Sequence, residues 1–201
     1  MDSSLFKTAL TYQAVIFDFD GVLAKIHVDW PSLKNELREL ITNEIGACEE
    51  LTPFDLQLNT ILKPTSARLI KKVNQIIESY EIKECGRHVI FPEMLSVAEK
   101  LAKSGLPLFI CSSNTRKVIE NILQKTGTYA CFRQIVSRED ILQRKPDPEG
   151  LLKIISENKL NPKEVLFIGD RDVDRQAGSS AGIETKIIAS GSMAHLALLP
   201  Q

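Results

Sequence analysis

The sequence predicts an α/β protein with a Rossmann-like three-layer core, built on a mainly parallel five-stranded sheet, and a small α-helical cap domain inserted into that core. Two observations carry this prediction. Short apolar runs alternate with amphipathic helical patterns over most of the chain, which is typical of a parallel sheet covered by helices on both faces. One stretch, from about residue 25 to residue 88, breaks the alternation because it holds helical patterns and no convincing strand.

The five candidate strands are short and mostly apolar. Such runs suit strands that are buried on both faces of a sheet, whereas a strand with one wet face alternates apolar and polar residues. The candidates are residues 14–17, 106–111, 134–136, 164–168 and 185–189.

Four helical patterns lie between or beside these strands. Glycine follows three of them, and glycine is the residue that most easily takes the left-handed conformation at a helix C terminus. The patterns are residues 92–104, 115–126, 148–158 and 172–181.

Three more helical patterns fill the stretch that breaks the alternation. They are residues 31–46, 53–62 and 66–80, and Pro31 suits the first turn of a helix. We therefore expect residues 1–24 and 92–201 to form the core and residues 25–91 to form the inserted cap domain.

The composition excludes several classes of protein. The chain has 201 residues and a formal net charge of -1, so a broad basic surface for nucleic acid or an anionic membrane is not expected. No apolar run reaches the roughly 18–20 residues of a membrane helix, and the N terminus lacks the pattern of a signal peptide. The four cysteines form no C-x-x-C pair, so we expect buried thiols in a reducing cytoplasm and no disulfide framework.

Polar and acidic side chains follow most of the candidate core strands. In open parallel sheets ligands bind outside the carboxyl ends of the strands, so these side chains are expected to meet there. They are Asp18 and Asp20 after the first strand, Ser112, Ser113 and Asn114 after the second, and Asp170, Asp172 and Asp174 after the run 164–168, with Lys145 just before a core helix.

Such a cluster of carboxylates predicts a magnesium site. Carboxylates at one edge repel each other, a divalent cation relieves that repulsion, and Mg²⁺ prefers hard oxygen ligands together with substrate phosphate oxygens. Lys145 and the hydroxyl of Ser112 suit the remaining phosphate oxygens. An ionised Asp18 near a phosphorus atom can attack it, which splits one difficult step into two.

These residues, in this order, resemble the haloacid dehalogenase-like hydrolase superfamily. The resemblance rests on four motifs: Asp18-Phe19-Asp20-Gly21-Val22, Ser112, Lys145-Pro146-Asp147-Pro148, and Gly169-Asp170 with Asp174. With a helical insert between the first and second motifs, the chain is similar to the branch of phosphoglycolate phosphatases and β-phosphoglucomutases.

The resemblance implies a role for each residue of the first motif. Asp18 is implied as the nucleophile and a metal ligand. Asp20 is implied as the acid that protonates the leaving oxygen and then the base that deprotonates water, with its backbone carbonyl on the metal. Gly21 is expected to bind substrate and to let the backbone turn sharply beside the nucleophile.

The later motifs are implied to hold the phosphoryl group. Ser112 is expected to bind a phosphoryl oxygen, with Ser113 as the alternative if the strand ends one residue later. Ser113 and Asn114 are expected to bind substrate. Lys145 is implied to bind the phosphoryl group and to steady Asp18.

The last motif is implied to complete the metal site. Asp170 is expected to be the second acidic ligand and Asp174 to serve the metal in a direct or water-mediated role, with Asp172 as the alternative to Asp174. Arg171 stands where many members of the superfamily have Ser, and the sequence assigns it no role.

The expected activity is hydrolysis of a small phosphomonoester by a cytoplasmic monomer or homodimer that binds neither nucleic acid nor membrane. A dehalogenase is disfavoured because its second acid is typically absent, whereas Asp20 is present. A phosphomutase and a non-catalytic protein that binds phosphorylated ligands remain alternatives. Trp30 is expected to pack within the cap or to contact substrate.

Overall fold

The computed structural model of the protein describes residues 2–46, 48, 50–52, 54–62, 67–188 and 197–198. The strands are β1 Ala14–Phe17, β2 Ala24–Lys25, β3 Val89–Ile90, β4 Leu108–Cys111, β5 Gln134–Val136, β6 Val165–Gly169, β7 Glu184–Ile187 and β8 Ala197–Leu198. The α-helices are α1 Asp2–Ala9, α2 Trp30–Ile45, α3 Phe54–Leu62, α4 Ala67–Lys83, α5 Pro92–Lys103, α6 Arg116–Lys125, α7 Glu149–Glu157 and α8 Asp172–Ala181.

A five-stranded parallel sheet forms the centre of the core, in the order β5-β4-β1-β6-β7. The central strand β1 pairs with β4 on one side and with β6 on the other, so Phe17 lies beside Ile110 and Ile168. This confirms the predicted fold class. The last strand begins at Glu184 and ends at Ile187, whereas residue 189 of the predicted run lies outside the described residues.

Helices cover both faces of the sheet because successive strand residues point to opposite sides. On one face, Val15 and Phe17 pack in an apolar cluster that includes residues of α1, α5 and α6. On the other face, Ala14 and Ile16 pack with residues of α7 and α8. Full burial of each large apolar side chain stabilises the fold by about 1.5–3 kcal/mol.

The insertion has an apolar cluster of its own, formed where α2, α3 and α4 meet. The carboxylate of Asp29 caps α2 by accepting from the backbone N–H of Ser32 at 3.2 Å, and Gly46 ends the helix at φ +91°. The three helices lie where the sequence predicts them, within three residues at every boundary that the described residues include. The division into a core and a cap domain at residues 25–91 stays a prediction.

Two features were not predicted from the sequence. Helix α1 packs on α5 and buries Leu5 and Ala9. At the base of the insertion, β2 pairs antiparallel with β3, which also pairs with β8, so Lys25 is a strand residue despite the helical expectation for this stretch. Strands of two residues have no periodicity for a sequence to display.

The expectation of buried thiols is only partly correct. Cys111 is buried, but Cys48 and Cys131 are half-buried. Among the described residues, no helix combines the length and the apolar character needed to cross a membrane.

Candidate active site

The candidate site lies at the carboxyl ends of the three middle strands. Asp18 follows β1, Ser112 follows β4, and Asp170 follows β6. Because β1 lies between β4 and β6 in the sheet, the parallel register brings the ends of these strands to one edge. The sheet thus gathers residues that are up to 152 positions apart in the chain.

Asp18 has one engaged and one free carboxylate oxygen. Its side chain is buried, and Oδ1 lies 2.7 Å from Nζ of Lys145. Oδ2 is buried and has no hydrogen-bond partner. Burial raises the pKa of Asp18 to about 7, although the positive charges of Lys145 and Arg171 oppose this shift. A buried oxygen without a partner is costly unless a cation or a ligand meets it.

Lys145 is a buried cation between two carboxylates. Its Nζ lies 2.7 Å from Oδ1 of Asp18, 2.6 Å from Oδ1 of Asp174 and 5.4 Å from the centre of the Phe167 ring. Burial opposes the charged form, but the two carboxylates outweigh it and raise the pKa of Lys145. Lys145 therefore stays protonated and holds both acids in place.

The side chain of Asp174, in the first turn of α8, holds the backbone that follows β6. Its Oδ2 accepts from the backbone N–H groups of Asp170 at 3.2 Å and of Arg171 at 3.0 Å, and its Oδ1 contacts Lys145. Burial opposes ionisation, but Lys145 and these hydrogen bonds outweigh it and lower the pKa of Asp174. The alternative, Asp172, is exposed and contacts Arg175.

Three carboxylates are close enough to hold one metal ion. Asp18, Asp170 and Asp174 each offer an oxygen, and these oxygens lie within 4.8 Å of one another. Oδ1 of Asp170 is buried without a hydrogen-bond partner, like Oδ2 of Asp18, and burial raises the pKa of Asp170. Both oxygens of Asp174 already have partners, whereas Asp18 and Asp170 each keep one oxygen without a hydrogen-bond partner. This all-oxygen set fits a hard cation such as Mg²⁺.

Gly21 lies against Asp170. It has φ +86°, and a Cβ atom at this position would lie 2.0 Å from Oδ2 of Asp170. Any larger residue would displace the carboxylate. The structure thus places Gly21 beside an acid of the candidate metal cluster, and the lining of the site cavity does not include Gly21.

Asp20 is oriented by the beginning of the insertion. Its Oδ1 accepts from the backbone N–H of Ile26 at 2.8 Å and lies 3.5 Å from Nζ of Lys25. Asp20 and Asp18 line the same cavity. The cluster of three carboxylates does not include Asp20, which leaves its side chain available for proton transfer.

The segment after β4 supplies hydroxyl and amide groups. The hydroxyl of Ser112 donates to Oδ1 of Asn114 at 2.9 Å and accepts from its backbone N–H at 3.2 Å. The hydroxyl of Ser113 is buried and has no hydrogen-bond partner. All three residues line the cavity, so the structure brings both candidate phosphate-binding hydroxyls to the site.

The cavity lies between the core and the insertion and has a volume of about 40 Å³. Trp30 lines it, is 43% exposed and packs edge to face on Phe54, with ring centres 5.1 Å apart. Both interpretations of Trp30, packing and facing the substrate, thus agree with its position. The core side is lined by Asp18, Asp20, Ser112, Ser113, Asn114, Arg138 and Arg171, and the other side by Ile26, Val28, Trp30, Phe54, Asp55, Ile77 and Glu81.

A buried ion pair that was not predicted from the sequence lies at this cavity. Glu81 of α4 accepts from the guanidinium of Arg138 at 2.7 Å, and both side chains are buried. Its carboxylate also accepts from Nδ2 of Asn114 at 3.2 Å and from the backbone N–H of Thr115 at 2.9 Å. One signal was present, because Glu81 continues the apolar stripe of α4 four positions after Ile77.

Arg171 also lies at the site, although the sequence assigned it no role. Its guanidinium is 3.9 Å from Asp170 and 3.9 Å from Asp55 of α3. Burial opposes the charge, but Asp18 and the other nearby carboxylates raise the pKa of Arg171. Arg171 thus links the acidic edge of the sheet to the insertion.

The sequence is similar to that of known phosphatases. Residues 15–188 match the family described as haloacid dehalogenase-like hydrolase. The N-acetylmuramic acid 6-phosphate phosphatase of Pseudomonas aeruginosa is 26% identical over 197 residues, covering 89% of this chain and 82% of that protein. The phosphoglycolate phosphatase of Psychrobacter arcticus is 24% identical over 194 residues, covering 89% of this chain and 84% of that protein.

Solved structures share the architecture. A haloacid dehalogenase-like hydrolase from Bacteroides fragilis superposes with a TM-score of 0.64 at 26% identity, covering 91% of this chain and 90% of that one. CbbY from Rhodobacter sphaeroides, solved with phosphate, gives a TM-score of 0.63 at 14% identity, covering 89% and 86% of the two chains. At that identity the likeness concerns the fold alone.

Proposed function

Because this chain belongs to the haloacid dehalogenase-like hydrolases and is an enzyme of their phosphatase type, we propose that it hydrolyses a small phosphomonoester with the help of Mg²⁺. The phosphoryl group passes through an aspartyl-phosphate on Asp18. One observation carries this proposal: Oδ1 of Asp18 is held by Lys145 while the buried Oδ2 has no partner.

In the first step Oδ2 of Asp18 forms a bond to phosphorus as the bond from phosphorus to the leaving oxygen breaks. Lys145 holds the other carboxylate oxygen, so the nucleophile approaches in one orientation. The ammonium group of Lys145 also offsets negative charge on the transferring phosphoryl group. Such charge stabilisation, together with positioning, supplies most of the rate enhancement in phosphoryl transfer.

Asp20 is proposed to supply and remove protons. In the first step its carboxyl group gives a proton to the leaving oxygen. In the second step the carboxylate takes a proton from water as the water oxygen attacks phosphorus and releases Asp18. Support comes from its hydrogen bond to Ile26, which fixes the side chain at the cavity wall.

The hydroxyls of Ser112 and Ser113 are proposed to bind phosphoryl oxygens. The unpartnered Ser113 hydroxyl can donate at once, whereas Ser112 first has to turn its hydroxyl away from Asn114. Asn114 is then proposed to hold this segment and to face the substrate.

Mg²⁺ is proposed to be held by Asp170, by the backbone carbonyl of Asp20 and by Oδ1 of Asp18, so that Oδ2 of Asp18 stays free to attack phosphorus. Asp174 stays bonded to Lys145 and the loop backbone. Bound there, the ion supplies positive charge for the phosphoryl oxygens. Gly21 is proposed to act through Asp170, because its missing side chain leaves room for that carboxylate.

The substrate is proposed to be a small phosphorylated metabolite, as for the relatives named phosphoglycolate phosphatase. The position of the cavity supports this, because helices of the insertion line the side opposite the core. Residues 25–91 are proposed to act as a cap domain, and the enzyme to be a cytoplasmic monomer or homodimer.

The test is turnover of p-nitrophenyl phosphate with Mg²⁺ by the wild-type protein and by Asp18→Asn. We expect turnover by the wild type, a phosphorylated protein band after acid quench, and neither in the variant, which is nearly isosteric. Turnover by purified Asp18→Asn would refute the nucleophile. A wild type that binds phosphate without hydrolysing any phosphomonoester would refute the hydrolase and favour a binding protein.

A further inference from the structure

Asn59 of the insertion is bonded to the backbone of the residue next to Lys145. Its Oδ1 accepts from the backbone N–H of Arg144 at 2.8 Å, and its Nδ2 donates to the backbone carbonyl of Arg144 at 2.6 Å. Asn59 is 6% exposed and 85 residues away from Arg144 in the chain. One amide side chain thus satisfies both polar backbone groups of a single core residue.

The surroundings show that these bonds matter. Asn59 lies on the buried side of α3, next to Leu58 and one turn before Leu62, where a polar side chain is costly unless it is hydrogen-bonded. Only one orientation of the amide satisfies both backbone groups, because its oxygen only accepts and its nitrogen only donates. The two hydrogen bonds therefore fix both the orientation of the Arg144 backbone and its distance from Asn59.

The loop that carries Lys145 has one anchor in the core and one in the insertion. On the core side, the carboxylate of Glu149 accepts from the backbone N–H groups of Leu142 at 2.9 Å and Gln143 at 2.7 Å. The next residue, Arg144, is held by Asn59, and its guanidinium donates to Oδ1 of Asn74 on α4 at 2.8 Å. The core anchor ends one residue before Arg144. The backbone carbonyl of Arg144 also accepts from the backbone N–H of Asp147 at 3.0 Å, whereas the backbone N–H of Arg144 is held by Asn59 of the insertion.

We propose that Asn59 is a positioning residue for Lys145, so that the ammonium group reaches its place between Asp18 and Asp174 only when α3 is docked on the core. The inference rests on the proposed function, which assigns Lys145 to the phosphoryl group. The insertion thus does more than cover the cavity, because it also helps to place Lys145 between Asp18 and Asp174.

The experiment compares Asn59→Ala with Val73→Ala. Val73 is buried in the apolar cluster of the insertion, so its truncation destabilises that region without removing a hydrogen bond to the loop. Both variants are assayed for kcat and KM with three phosphomonoesters of different leaving groups. Amide hydrogen exchange of residues 141–148 is measured without substrate.

For Asn59→Ala we expect kcat to fall between about 10-fold and 100-fold, as for displacements of about 1 Å in an active site. The loss should be equal for the three substrates, because Lys145 serves the phosphoryl group they share. Exchange of residues 141–148 should be faster. Val73→Ala should keep kcat within about 2-fold of the wild type, because it removes only two methyl groups from the apolar cluster of the insertion and no hydrogen bond to the loop.

The inference is overturned if Asn59→Ala keeps the wild-type kcat, if Val73→Ala loses as much, or if the loss depends on the leaving group. Asn59→Asp is a second variant of nearly the same shape, in which an oxygen replaces the donor to Arg144, and it should lose at least as much. If the wild type has no turnover, the proposed function fails, and the exchange of residues 141–148 still decides whether Asn59 orders the loop.

Discussion

Replacing Gly21 by alanine separates backbone strain from damage to the metal site. Gly21 has φ +86°, and the new methyl group would lie 2.0 Å from Oδ2 of Asp170. The strained backbone alone costs about 1–2 kcal/mol. To reach an ordinary contact of 3.4 Å, the carboxylate oxygen has to move by about 1.4 Å, which displaces a proposed magnesium ligand.

Gly105→Ala is the matched control. Gly105 has φ +82°, so it carries similar backbone strain, but nothing lies within 4 Å of its added methyl group. Both variants should lose about 1–2 kcal/mol in urea unfolding. Only Gly21→Ala should also raise the Mg²⁺ concentration for half-maximal turnover, by about 10- to 100-fold as for other disturbed metal sites.

The same dependence of turnover on Mg²⁺ in Gly21→Ala and Gly105→Ala would refute the proposed effect on the metal site. That outcome would mean that the carboxylate of Asp170 moves without consequence, or that it does not bind the metal. If Gly21→Ala fails to fold while Gly105→Ala folds, the close contact between Gly21 and Asp170 is needed for stability. Circular dichroism would detect this loss of folding.

Three further predictions concern charge. Chelation by EDTA should abolish turnover of p-nitrophenyl phosphate and added Mg²⁺ should restore it; full activity of the metal-free protein would contradict the metal site. Burial raises the pKa of Asp18 from 3.8 to about 7. Without metal, the folded state therefore keeps the proton of Asp18 up to a higher pH than the unfolded state does. The contribution of this group to the free energy of unfolding is fully present below pH 3.8 and is lost as the pH rises through 7. Asp18→Asn should therefore gain stability over the wild type at pH 8 and little at pH 4 in metal-free urea titrations; equal differences at the two pH values would exclude this. Glu81→Gln leaves the buried cation of Arg138 without its counter-charge and should cost about 3–5 kcal/mol, whereas a loss below 1 kcal/mol would show that the pair is not buried in solution.

The parallel sheet and the acids at its edge could be predicted because their signals are local. The run Ala14–Phe17 is apolar throughout, and Asp18 follows it directly, so strand and strand end are visible in five residues. The same holds for Asp170 after β6. The sequence could not choose between Asp172 and Asp174, because that choice depends on which one faces Lys145.

Contacts between the core and the insertion could not be predicted. Asn59 lies 85 residues from Arg144, and Glu81 lies 57 residues from Arg138. Each looks like an ordinary polar residue until its helix is docked. Their only local mark is their place on the buried side of an amphipathic helix, which shows that a partner is needed but not which one.

The short antiparallel pair of β2 and β3 has a consequence for how this protein can evolve. The backbone leaves the core at Lys25 and returns at Val89, and the register pairs these two residues directly. Since departure and return lie side by side, everything between them can lengthen, shorten or be exchanged without spreading the ends apart. The architecture thus lets the insertion change in length and sequence wherever it does not contact the core, as Asn59 and Glu81 do, while the strands that hold the acids stay as they are.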